Sequence, residues 1–136
     1  MCGICGLTWS DSDLIRKMGN KIKHRGPEQE GFYIDDHVSL CCERLKILDL
    51  SETAKQPQHN EDSSIWVVLN GEIYNFRELR RKLETNHKFY TNSDTEVILH
   101  AYEEYGEDCV NHLNGMFAFA IWDSNKKKLF LARDRL

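Results

Sequence analysis

The chain holds 136 residues, with 18 Lys+Arg against 22 Asp+Glu for a formal net charge of −4. That length suits one domain with room for a real core, and the acidic balance excludes a generally basic nucleic-acid binder. The composition, 40% hydrophobic and 10% aromatic with 2 Pro, is not that of a disordered chain. The longest apolar run, residues 116–122, is far too short to cross a membrane.

In chain order, Ile4, Leu7 and Trp9 suit a buried strand, and Ser10-Asp11 break the apolar opening, so no secretory leader is read there. Ser10 or Ser12 can cap a short helix that carries Leu14, Ile15, Met18 and Ile22 on one face. His24-Arg25-Gly26-Pro27 ends it. Residues 32–34, 38–42 and 45–48 read as short strands, followed by a long polar stretch, 51–64, around Pro57. A buried strand at 65–69 runs into Asn70-Gly71, and a charged helix is expected over 76–83. Ser93-Asp94-Thr95-Glu96 fits a capping box for a helix with Val97, Ile98, Ala101 and Tyr105 on one face, stopped by Gly106. A helical turn near 109–113 leads to a strand over 115–122, a turn, and a returning strand over 128–133. Strands and helices that alternate this irregularly predict an α+β fold with a largely antiparallel sheet.

Chemistry is sparse but placed suggestively. The five cysteines are Cys2, Cys5, Cys41, Cys42 and Cys109; an odd number without a leader predicts reduced thiols in the cytoplasm. Cys2 and Cys5 form a CxxC, but adjacent Cys41-Cys42 is a poor second half for zinc, and the six scattered His show no metal-ligand spacing, so no metal is expected. With Met1 removed, Cys2 would carry both a thiol nucleophile and an α-amine whose usual pKa, about 7.7–8.0, suits a general base. Asn70-Gly71 reads most simply as a tight hairpin turn, and alternatively as a pair of oxyanion donors. Arg44 could grip a carboxylate and Glu72 and Asp94 an ammonium, the two ends of a free amino acid. No glycine-rich phosphate loop occurs, so no nucleotide is expected on this chain.

Met1-Cys2-Gly3-Ile4-Cys5-Gly6 resembles the opening of class II glutamine amidotransferases. His24-Arg25-Gly26-Pro27, the 44–50 segment, Gln56-Pro57, the 69–75 segment, the 93–99 segment, the 115–120 segment and Leu131-Ala132-Arg133-Asp134-Arg135 follow in that family's order. Among its branches the chain resembles the glutaminase domain of glutamine-hydrolysing asparagine synthetases. The resemblance implies an N-terminal-nucleophile αββα sandwich of two antiparallel sheets. It implies attack of mature Cys2 on the glutamine amide, with Asn70 and the Gly71 N–H as oxyanion donors. It also implies Arg44 for the substrate carboxylate, Glu72 and Asp94 for its ammonium, and the Leu45, Lys46, Ile47 and Leu48 backbone along the pocket. The expected partners are glutamine and a synthetase domain holding ATP and magnesium, with no nucleic acid or membrane and with a homodimer as a candidate assembly. The family pattern runs on beyond Leu136, so a domain over 1–136 is expected to lack its last strands and the synthetase domain. A non-catalytic binding or regulatory fragment of the same fold is the alternative. Cys42 stands where the family usually carries His, Glu43 where it carries Arg, Lys46 where it carries a small residue, and Glu28 where it carries Asp.

Overall fold

A computed structural model describes residues 1–135; the expected domain end at Leu136 lies outside them. Two antiparallel sheets stack between helices. The first has the order β1-β3-β2, built from β1 (Gly3–Leu7), β2 (Gln29–Ile34) and β3 (Ser39–Arg44). The second has the order β4-β5-β6-β7, from β4 (Gln58–His59), β5 (Ile65–Ile73), β6 (Gly115–Asp123) and β7 (Lys128–Arg133). Three apolar clusters define four layers. Ile15 of α1 (Ser12–Ile22) packs with Leu7 and Cys41 on the outer face of the first sheet. Cys2, Leu40 and Cys42 meet Val68, Ala120 and Trp122 between the sheets. α2 (Phe76–Leu83) and α3 (Asp94–Tyr105) bury Leu79, Leu83, Val97, Ile98 and Leu99 against Val67, Leu69, Phe119 and Ile121. This is the expected αββα sandwich.

Five local expectations change. The α1 cap is Asp11, not either serine: its carboxylate accepts from Leu14 N at 2.8 Å, while Ser39 holds the approach through Asp11 N and Trp9 O. Residues 45–48 form no strand, because Arg44 pulls the carbonyls of Leu48 and Asp49 onto one guanidinium nitrogen and curls the segment around itself. Asn70-Gly71 is not a turn. β5 runs straight through it, paired with Ala118 and Phe117 of β6, and a Cβ on Gly71 would lie 2.2 Å from the Met116 carbonyl. Ser93 precedes α3 but makes no capping bond, since its hydroxyl is engaged by Gln58 at 2.9 Å. Glu96 accepts instead from Tyr90 N and Thr91 N. Nor does α3 show one apolar face: residues 94–102 are all buried, as a helix wedged between a sheet, α2 and the 88–93 segment must be.

Candidate active site

The end of β3, the middle of β5 and the start of α3 converge beside the chain's N-terminal end. Cys2, Arg44, Leu45, Ile47, Leu48, Gly71, Glu72 and Asp94 line one cavity there, joined by Gln56, Leu69, Ser93 and Thr95. Its free volume is only about 20 Å³, room for about one water.

Cys2 is 8% exposed, its Sγ 3.8 Å from the Leu45 carbonyl. The Cys42 thiol beside it lowers the Cys2 pKa most; burial opposes, and the Arg44 charge adds to the lowering, leaving it at about 7. Cys42 is pushed well up in turn, so Cys2 is the member of the pair that ionises. In this chain the Cys2 nitrogen is an amide, and its amine exists only once Met1 is gone.

Arg44 is 4% exposed and already engaged: Nη1 donates to Gln29 at 3.0 Å, and Nη2 to the carbonyls of Leu48 at 2.9 Å and Asp49 at 2.7 Å. Either two-point grip on a carboxylate, end-on through both Nη or side-on through Nε and Nη2, takes a hydrogen from Nη2. A substrate carboxylate must therefore displace a carbonyl of this loop. Asp49 fixes the loop's far end, accepting from Asn92 N at 2.6 Å, two residues before Asp94.

Asp94 accepts from Ile73 N at 2.8 Å. Burial raises its pKa, although that bond and its neighbouring amides oppose the rise. Burial also raises Glu72, helped by the Asp94 charge. Two neighbouring carboxylates, both raised by burial and one of them also by the charge of the other, form a place short of one cation. Gln56, quoted in the sequence only as part of a motif, ties the site together by accepting from Leu69 N at 2.6 Å and donating to Thr95 at 3.3 Å.

Two expected site residues stand apart from the cavity wall. Lys46 turns its ammonium onto Glu52 at 2.6 Å, and its backbone N–H donates to Glu28. Asn70 alternates to the other side of β5 from Leu69 and Gly71, with its amide oxygen buried and without a hydrogen-bond partner among the described residues. Scattered in sequence, His87, His100 and Glu103 come together, with ligand atoms within 4.8 Å of one another.

The glutamine amidotransferase domain family matches residues 1–136. This chain belongs to the glutamine amidotransferase domain family. Asparagine synthetase [glutamine-hydrolyzing] 2 of Bacillus subtilis is 46% identical over 143 aligned positions, covering 99% of this chain and 19% of that protein. The asparagine synthetase [glutamine-hydrolyzing] of Zea mays is 41% identical, covering 100% of this chain and 24% of its own length. The chain thus spans about a fifth to a quarter of the length of these relatives. Glutamine phosphoribosylpyrophosphate amidotransferase from B. subtilis superposes with a TM-score of 0.79 at 18% identity, over 98% of this chain and 37% of that one. At that identity the likeness speaks for the shared fold. Among the described residues no helix is long and apolar enough to cross a membrane.

Proposed function

We propose that this amidotransferase domain hydrolyses glutamine to glutamate and ammonia with Cys2 as nucleophile, after Met1 is removed. The observation that carries the reading is one cavity holding a Cys2 thiol of pKa about 7, a guanidinium, and two cation-short carboxylates. Arg44 takes the substrate carboxylate as it exchanges a loop carbonyl, and Glu72 and Asp94 take the ammonium, so the side-chain amide is presented to Sγ. Sγ attacks the amide carbon, and the negative charge that forms on oxygen is met by the Gly71 N–H and the Asn70 amide, which turns toward it. The Cys2 amine receives the thiol proton and passes it to the departing nitrogen, and ammonia leaves as the C–N bond breaks. A water then attacks the thioester, the same amine receives its proton, and the C–S bond breaks to release glutamate and the thiol. The Leu45, Lys46, Ile47 and Leu48 backbone closes over the substrate.

In a longer enzyme the ammonia would pass to a synthetase domain that makes asparagine, as the names of the relatives suggest, and that domain, not this chain, would hold ATP and magnesium. A cytoplasmic location and assembly as a homodimer belong to the same reading. Glutamate release from glutamine tests it, using chain whose Met1 removal is confirmed by mass, with Cys2→Ala alongside. Release that vanishes in the variant is expected. Release that survives there overturns the nucleophile assignment. A folded, processed chain that releases none favours the non-catalytic alternative.

A further inference from the structure

We propose that His87, His100 and Glu103 form a binding site for a divalent transition-metal ion of the zinc class, separate from the Cys2 cavity. The three ligand atoms already face one another. Glu103 Oε2 lies 3.3 Å from His87 Nδ1 and 2.7 Å from His100 Nδ1. Bonds of about 2.0–2.1 Å in a tetrahedral site place neighbouring ligand atoms roughly 3.3 Å apart; the first pair already has that spacing, the second has to part slightly, and the two imidazole nitrogens lie within 4.8 Å of each other.

The surroundings match what a metal site needs beyond its ligands. A ligating imidazole ordinarily turns its other nitrogen to a carboxylate, which fixes ring orientation and tautomer. His87 does this, its Nε2 meeting Glu104 at 3.0 Å, while His100 Nε2 faces the Glu96 carboxylate at 3.7 Å without a hydrogen bond. The free oxygen of Glu103 accepts from Asn60 Nδ2 at 2.8 Å, so the ligating oxygen is aimed. His100 is fully buried, and Phe89 packs edge-on against it with ring centres 4.5 Å apart. His87 and Glu103 keep 15% and 17% side-chain exposure, enough for an ion to enter and for a water to complete the fourth position. Two imidazoles and one carboxylate are a borderline donor set that suits zinc or cobalt over calcium or magnesium.

Without a metal the same groups act as an ion-pair network. Burial draws the His100 pKa down, but Glu103 and Glu96 reverse this and raise it to about 9. A metal arriving at Nδ1 takes the place of that proton, which leaves to solvent. The ion would join the segment before α3, carrying His87, to α3 itself and, through Asn60, to the loop ahead of β5.

Equilibrium dialysis of the metal-free 136-residue chain against zinc, paired with cobalt absorption spectra, tests this without any activity. One equivalent of zinc is expected, with a cobalt spectrum that lacks thiolate charge-transfer bands, because five free cysteines offer the competing site. His87→Gln and Glu103→Gln, each checked for folding by circular dichroism, are both expected to weaken uptake at least tenfold. No uptake at about 100 μM free zinc, a thiolate-type cobalt spectrum, or uptake unchanged in both variants overturns the proposal.

Discussion

At the scale of single residues the site works by unsatisfied charge. Cys2 shares its proton equilibrium with Cys42, so its thiolate is populated near neutral pH. Alkylation of Cys2 by iodoacetamide, followed by peptide mass, is expected to rise with pH to a midpoint near 7. Cys42→Ala is expected to move that midpoint upward, because the largest lowering influence is gone; an unmoved midpoint would remove Cys42 from the account. Glu72 and Asp94 make the opposite statement about stability. Their folded-state pKa values are raised, so the folded protein holds these protons more tightly than the unfolded chain does. Stability from this source is therefore present at low pH and is lost as pH climbs from the unfolded carboxylate range, about 4, through the folded values. Glu72→Gln is expected to leave Tm at pH 7 equal or higher while raising KM for glutamine. A lower Tm with unchanged KM would show that Glu72 holds structure and not substrate.

At the scale of elements, what was legible in the sequence and what was not divide along a physical line. α2 lies where its periodicity put it, over residues 76–83, and β6 and β7 lie where their apolar runs and intervening turn put them. These patterns are local. The misread places depend on partners far along the chain. Residues 45–48 look like a strand until Arg44 claims the carbonyls that follow. Asn70-Gly71 looks like a turn until β6 supplies partners on both sides of it. His87 and His100 are thirteen positions apart, spaced for no familiar motif, and only the fold of the 84–93 segment over α3 brings their rings within 5.0 Å. The Gly71 position yields a direct check. Gly71→Ala places a methyl against the Met116 carbonyl in mid-ladder and is expected to cost about 1–3 kcal/mol or more in urea unfolding. A wild-type midpoint would mean that β5 and β6 are free to spread there.

At the scale of the whole molecule, the two sheets part along the side where β1 and β7 lie. A groove of about 510 Å³ opens there, lined by Ile4, Leu7, Val68, Leu129 and Leu131 among others. β7 is an edge strand, and Leu131 on it is 66% exposed. An apolar edge of this kind invites strand-to-strand association. Sedimentation velocity across a concentration series is expected to show self-association that Leu131→Lys reduces; identical profiles would place any dimer contact elsewhere.

The Arg44 latch bears on how this domain can drift in sequence. Its two loop contacts are main-chain carbonyls, which every amino acid supplies, so they depend on the path of the loop and not on its side chains. Replacing Ile47, which is 51% exposed, by other residues without Pro leaves those oxygens in place. Adding or removing one residue between Arg44 and Asp49 does not, because it withdraws both oxygens and unfastens Asn92 from Asp49 as well. Length, more than spelling, is what this stretch has to preserve.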